Sequence, residues 1–198
     1  QRLTGTEDNR ISYTTYLDLF FFTNGVDYIM EKDHSNNFIE WPEAKALDYK
    51  AKVIKSFKDH LNLGNTIEAG VEFPQRFRWT DNAATDFDEI TGTAGSTEID
   101  GEDEILNMLI LTAKLVIYKK RSIHLVTHIG GNAVYRFDRA VGSSGLLAQD
   151  LVLETGELHM YVATDNIYYY GGGSDPVTVG SPVRDELFRI LSDTYINR

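Results

Sequence analysis

The sequence contains no cysteine, which excludes disulfides and thiolate metal centres and leaves its redox compartment open. No apolar run approaches the ~18 residues that a membrane-spanning helix needs, so no membrane insertion is expected, and no signal peptide is visible. Proline is scarce at four residues, as are tryptophan at two and methionine at three. Basic charge is also in deficit: 19 Lys and Arg against 30 Asp and Glu give a net −11. Such a surface repels phosphate backbones and argues against sequence-specific nucleic-acid binding. It is compatible with DNA passing a non-adhesive wall. Aromatics are abundant, with eleven Tyr and ten Phe set mostly in alternating runs, and they favour strands over helices.

A short pattern recurs four times, in which an alternating apolar run leads through a turn to a second, aromatic-rich run. The copies are Asp18–Asp33, Asp59–Glu68, Ala113–His128 and Gly156–Gly173, anchored by Leu19, Leu61, Leu115 and Leu158. Their spacing of roughly 40 to 55 residues is that of one blade of a β-propeller. The expected fold is therefore mainly β: a propeller or partial propeller of about four antiparallel meanders, with one short C-terminal helix. Residues 1–198 read as one domain of this kind. The chain starts at Gln rather than Met and ends at Thr194–Arg198. It reads as a fragment, a short four-blade variant, or part of a longer product.

Along the chain, Gln1–Arg10 reads as a lead-in loop. Strands are expected at Ile11–Tyr16, Leu19–Thr23, Tyr28–Glu31 and Phe38–Trp41, with Asn24-Gly25 marking a hairpin. Pro42–His60 is ambiguous. Ala44, Leu47, Ala51, Ile54 and Phe57 fall at helical spacing, whereas Ala51–Phe57 also alternates; the repeat favours a strand from near Lys52. Gly64–Phe73 reads as a polar link, Gln75–Trp79 as a strand and Asp81–Asp103 as mostly loop. Ile105–Leu111, Lys114–Lys119, Ile123–Ile129 and Ala133–Arg139 read as one complete meander, with a turn at Gly130-Gly131-Asn132. Leu151–Glu154, Leu158–Ala163, Asn166–Tyr170 and Val177–Val179 read as another. Ser181 as N-cap and Pro182 at the first helical position open the C-terminal helix, with Val183, Leu187 and Leu191 as its buried stripe.

Candidate chemistry is thin. Asp100-Gly101-Glu102-Asp103-Glu104 offers oxygens of the kind calcium takes, but without EF-hand spacing; a solvated turn is the plainer reading. Asp86 and Asp88 have the residue type of a glycosidase pair, and they also suit an acidic loop. His124 and His128, four apart on a strand, stand about 13 Å from each other, too far to share one ion. They read as half-buried blade residues. Gly171-Gly172-Gly173 leads into a turn rather than a phosphate-binding helix, and Ser143-Ser144-Gly145 lacks a nucleophile-elbow context. Tyr161 and Tyr168-Tyr169-Tyr170 are either inter-blade core or a sugar-stacking surface, with Tyr169 facing away from Tyr168 and Tyr170. Arg76 and Arg78 are expected to pair with the acidic loops or to serve an interface between subunits. No catalytic, cofactor-binding or metal-binding residue is assigned, and the chain reads as a non-enzyme.

The order of several segments resembles one group of viral proteins. The run Lys52–Asp88, with FKDHLNLGNTIEAGVEFPQRFRWTDNAATDFD, has a strand, a proline, an Arg-x-Arg-Trp strand and an Asp-rich turn. It is followed by ILNMLILTAKLVIYKKRSIHLVTHIG, GSSGLLAQDLVLETGELHMYVATDNIYYYGGG and GSPVRDELFRIL, and preceded by TNGVDYIMEKD. In this order, over about three quarters of the chain, the segments resemble the propeller-containing tail proteins of short-tailed bacteriophages and prophages: the tail nozzle (tail tubular protein B) and the DNA-stabilising tail accessory factor. The resemblance implies a structural virion protein in the tail, assembled in the bacterial cytoplasm. It further implies a six-fold homo-oligomeric ring below the portal, contacts with an adaptor, fibres or a needle, and DNA passing through without specific binding. A non-catalytic module recognising carbohydrate or a cell-surface partner is the alternative.

Overall fold

The computed structural model describes residues 3–32, 37–131, 133–179 and 181–194. Asp33, Asn132 and the segment after Thr194 lie outside these residues, as does the side chain of Leu191. Sixteen strands form four separate antiparallel meanders of four strands each. The first sheet is β1 (Ser12–Tyr16), β2 (Leu19–Thr23), β3 (Met30–Lys32) and β4 (Phe38–Glu40). A short helix α1 (Pro42–Ala46) leads to the second sheet: β5 (Tyr49–Phe57), β6 (His60–Glu68), β7 (Val71–Trp79) and β8 (Gly95–Glu98). The third is β9 (Ile105–Leu111), β10 (Lys114–Lys119), β11 (Ile123–His128) and β12 (Tyr135–Val141). The fourth is β13 (Val152–Glu154), β14 (His159–Val162), β15 (Ile167–Tyr170) and β16 (Val177–Thr178), before helix α2 (Arg184–Thr194).

The four repeat leucines occupy equivalent places in this propeller-like arrangement. Leu19, Leu61 and Leu115 lie at or one residue into β2, β6 and β10, and Leu158 immediately precedes β14. Each therefore marks the second strand of its sheet. Consecutive sheets stack face to face on apolar side chains. Tyr16, Phe21 and Trp41 meet Ile54, Leu61 and Leu63 between the first and second sheets. Val53, Phe57 and Phe77 meet Ile105, Met108 and Ile117 between the second and third. Val116, Tyr118 and Leu125 meet Tyr161 and Tyr170 between the third and fourth.

Four sheets thus share three cores. Between the first and fourth, among the described residues, runs an ion pair from Arg10 to Asp150 at 3.4 Å, with no apolar cluster common to both. The Gln149 side-chain amide donates to the Lys52 carbonyl of β5 at 3.4 Å, and Asn107 of β9 donates to the Gln149 backbone carbonyl at 2.6 Å. The Lys52 ammonium reaches Glu104, just before β9, at 3.1 Å.

Several expectations are corrected by this structure. The segment Pro42–Phe57 is helix and then strand. Pro42 starts α1, but Asp48 adopts φ 53° and the chain extends from Tyr49, three residues before Lys52. Because β5 is sandwiched between two sheets, both its faces are buried, and two-sided burial mimics helical spacing. Gly64–Phe73 is no link: β6 and β7 run through it and turn at Ala69-Gly70, both with positive φ. Gly64 misled because glycine weakens a strand, yet here it admits the third sheet. A Cβ at Gly64 would stand 3.1 Å from Ile105 Cγ2. Pro74 lies beside a register shift in the β6–β7 pairing, where a missing N–H breaks no ladder bond. The loop Asp81–Asp103 contains β8, and Gly95 there packs under Trp79, 2.7 Å from where a Cβ would be.

The Asn24-Gly25 signal marks a six-residue connection between β2 and β3 rather than a two-residue turn. Asn24 Oδ1 accepts from the N–H groups of Val26 and Asp27. Helix α2 begins at Arg184, three residues after the expected Ser181 cap, its first bond running from the Leu187 N–H to the Val183 carbonyl. Val183 is exposed and Leu187 only half-buried, so the expected buried stripe is not covered within the described residues.

Candidate functional site

The acidic residues that suggested chemistry are engaged in holding the chain together. Asp88 accepts from the backbone N–H groups of Ile90 and Thr91 and from the Thr91 hydroxyl, which holds its carboxyl down at about 2. Asp86 accepts from the Asp88 N–H at 3.2 Å. A carboxyl kept ionised in this way is a loop brace, the opposite of a proton donor. The 100–104 cluster surrounds an internal cation. Lys119 Nζ, wholly buried, donates to the carbonyls of Ile99 (3.1 Å), Asp100 (2.8 Å) and Gly101 (2.8 Å) and pairs with Asp103 at 3.3 Å. Of the cluster's carboxylates Asp103 pairs with this ammonium, while Asp100 pairs with Arg139 and Glu104 with Lys52.

Arg76 and Arg78 pair within their own sheet and with the acidic loop. Arg78, buried, makes a two-pronged bond to Glu68 (Nε 3.1 Å, Nη2 2.9 Å) and a further one to Glu89. Arg76 bridges Glu68 and Glu98 at 3.0 and 3.1 Å, and its guanidinium stacks 3.7 Å above the Phe73 ring. Burial pushes the Glu68 carboxyl up, but Arg78, Thr66 and Arg76 outweigh it and hold the group below its ordinary value. The tyrosine run alternates as expected. Tyr161 and Tyr170 are buried in the core between the third and fourth sheets and Tyr168 stacks on Tyr161 at 5.4 Å, while Tyr169 shares a cross-strand row with Met160.

His124 and His128 do not act together. His124 is buried, its Nε2 3.1 Å from the Ser122 hydroxyl; burial, then the charges of Lys119 and Arg139, push it down to about 4. His128 instead meets His60 of the preceding sheet, with ring centroids 5.9 Å apart, and both rings pack against Tyr135. His60 and His128 line a cleft of about 110 Å³ with Asp59, Asn82, Thr93, Gly130, Gly131 and Val134. His60 is buried and its Nδ1 lies 2.8 Å from the Thr80 carbonyl. Sequence spacing set His124 and His128 apart and gave no partner for either; His60 and His128 are 68 positions apart and sheet stacking joins them. Among the described residues, no group of three or more His, Cys, Asp or Glu converges to hold a metal ion. Among the same residues no helix is long and apolar enough to cross a membrane.

Among the described residues, apolar rows lie on the faces of the first and fourth sheets turned away from the shared cores, each partly exposed. On the first sheet Tyr13, Phe20, Phe22 and Phe38 form a continuous aromatic row, with successive ring centroids 5.9, 6.2 and 5.5 Å apart. Tyr13 is 65% exposed and Phe38 51%. On the fourth sheet Leu153, Met160, Tyr169 and Val177 stand opposite one another across all four strands, with Leu153 and Val177 exposed. The carboxylates do not collect where the first strands converge. There β1, β5, β9 and β13 carry three lysines (Lys50, Lys52, Lys55) and one acid, Glu154. No protein-family model matches the chain, and no curated protein sequence matches it.

Proposed function

We propose that this chain is a structural component of a bacteriophage or prophage tail, a nozzle or hub element that assembles with copies of itself into a ring and joins other tail proteins. The observation that carries the reading is the pair of partly exposed apolar rows on the outer faces of the first and fourth sheets: Tyr13, Phe20, Phe22 and Phe38 on one, and Leu153, Met160, Tyr169 and Val177 on the other. Rows of this kind on the first and last sheets suit head-to-tail contacts, which close into rings when the rotation per copy permits. The resemblance of the segment order to tail nozzle and accessory proteins supports this biological setting. The braced carboxylates and internally paired arginines favour an architectural role over a catalytic one. Mass spectrometry of density-purified phage particles tests the proposal. Recovery of this chain in a multiple of about six copies per particle supports it, and absence from intact particles overturns it.

A binding module is the second reading, favoured by the same aromatic row, because exposed Tyr and Phe rings stack on sugars. A glycan array with hits lost on Tyr13→Ala would support it, and an array without signal above background would remove it.

A further inference from the structure

We propose that the cleft between the second and third sheets is a binding site for a first-row divalent transition ion, held by the imidazoles of His60 and His128. Imidazole is the side chain that suits zinc, nickel and copper, and the cleft brings two of them together from different sheets. Two imidazoles on one tetrahedral ion, with metal–nitrogen bonds of about 2.1 Å, place their ring centres about 5 Å apart. The centroids here stand at 5.9 Å, close to that separation.

The buried partner is already oriented as a ligand. His60 Nδ1 lies 2.8 Å from the Thr80 carbonyl, which fixes the proton on Nδ1 and leaves the Nε2 lone pair free. This outer hydrogen bond to a backbone carbonyl is the usual means of orienting a metal-bound imidazole and raising its basicity. The half-buried His128 ring supplies the second ligand. Asp59 and Asn82 at the rim offer oxygens for ordering metal-bound water, and the −11 net charge attracts cations. With two protein ligands, solvent completes the coordination sphere and binding is weaker than at a closed four-ligand site.

The test titrates the intact chain with zinc chloride at pH 7.5 and follows the histidine ring resonances by NMR, with affinity from calorimetry. The expected result is saturable binding that moves His60 and His128 together and leaves His124 and His159 in place. His128→Gln, a change at a half-buried position, weakens binding at least tenfold while its circular dichroism stays that of the parent. His60→Gln does the same where it folds. Absence of saturable binding up to about 1 mM zinc overturns the site. So does equal affinity in His128→Gln, or a response centred on other histidines. The outcome is independent of whether the chain belongs to a virion.

Discussion

The hydroxyl of Ser12 closes both hydrogen-bonding groups of a single residue on the neighbouring sheet. It accepts from the Ile54 N–H at 3.0 Å and lies 3.2 Å from the Ile54 carbonyl. Two residues on, Thr14 repeats the arrangement, its Oγ1 accepting from the Ser56 N–H at 3.1 Å and standing 2.9 Å from the Ser56 hydroxyl. β5 is the free edge of its sheet, and an open edge is a template for aggregation. The hydroxyls of β1 cap that edge without merging the two sheets. Ser12→Ala combined with Thr14→Val is expected to lower unfolding free energy by about 1–3 kcal/mol, since the N–H groups of buried Ile54 and half-buried Ser56 lose their acceptors. Urea denaturation of the double variant, with unchanged m, checks the value.

The pair Arg78–Glu68 is a buried two-pronged contact, and removing one partner strands the other charge. Glu68→Gln is expected to cost about 3 kcal/mol, and Arg78→Lys almost as much, because lysine cannot reproduce the fork. A double-mutant cycle with Arg78→Met and Glu68→Leu should recover part of the loss. Strict additivity of the two single changes would show that the pair is not coupled.

Stability is expected to fall between pH 6.5 and 4 through His124. Its folded value, pushed down to about 4 chiefly by burial, lies below the ordinary imidazole value of 6.5. The unfolded chain therefore binds the proton first as pH drops, and the contribution present above pH 6.5 is lost toward pH 4. The loss amounts to about 3 kcal/mol at most. Denaturation midpoints at pH 7 and 4.5, compared between the parent and His124→Gln, read it directly. An equal drop in both chains assigns the acid sensitivity elsewhere.

Lys119 should not be replaceable. Its ammonium serves the carbonyls of Ile99, Asp100 and Gly101 and the Asp103 carboxylate, so Lys119→Met leaves four oxygens without their donor. A loss of at least about 3 kcal/mol is expected. Calcium at millimolar concentration should leave the melting temperature of the parent chain unmoved, because the ammonium already holds those oxygens. A calcium-dependent rise in Tm would contradict this assignment.

The end rows separate assembly from folding. Tyr13→Glu and Val177→Glu alter exposed positions and should change unfolding free energy by no more than about 0.5 kcal/mol. If copies associate through these faces, the same changes abolish higher oligomers in sedimentation analysis. Oligomers that persist in both variants would place the subunit contact on another surface.

Most strands were legible because each carries its own signal. β2, β9 and β10 follow directly from apolar runs bounded by turn residues, and the recurrence of Leu19, Leu61, Leu115 and Leu158 marks the second strand of every sheet. Local chemistry of this kind survives in a linear reading because a strand's side chains alternate whatever it packs against. It fails where another sheet sets the requirement. Gly64–Phe73 reads as a link until Ile105 lies above Gly64, and the apolar spacing of residues 44–57 stays ambiguous between helix and strand until both faces of β5 are covered.

The sequence by itself determined the β class and the count of about four antiparallel meanders. Only the tertiary structure decided that four sheets share three cores, that Lys119 pairs with Asp103, and that His128 meets His60. The reason is physical. Hydrogen-bonded hairpins are specified between neighbours in the chain, whereas face-to-face packing joins residues tens of positions apart, whose pairing depends on how each sheet stacks on the next.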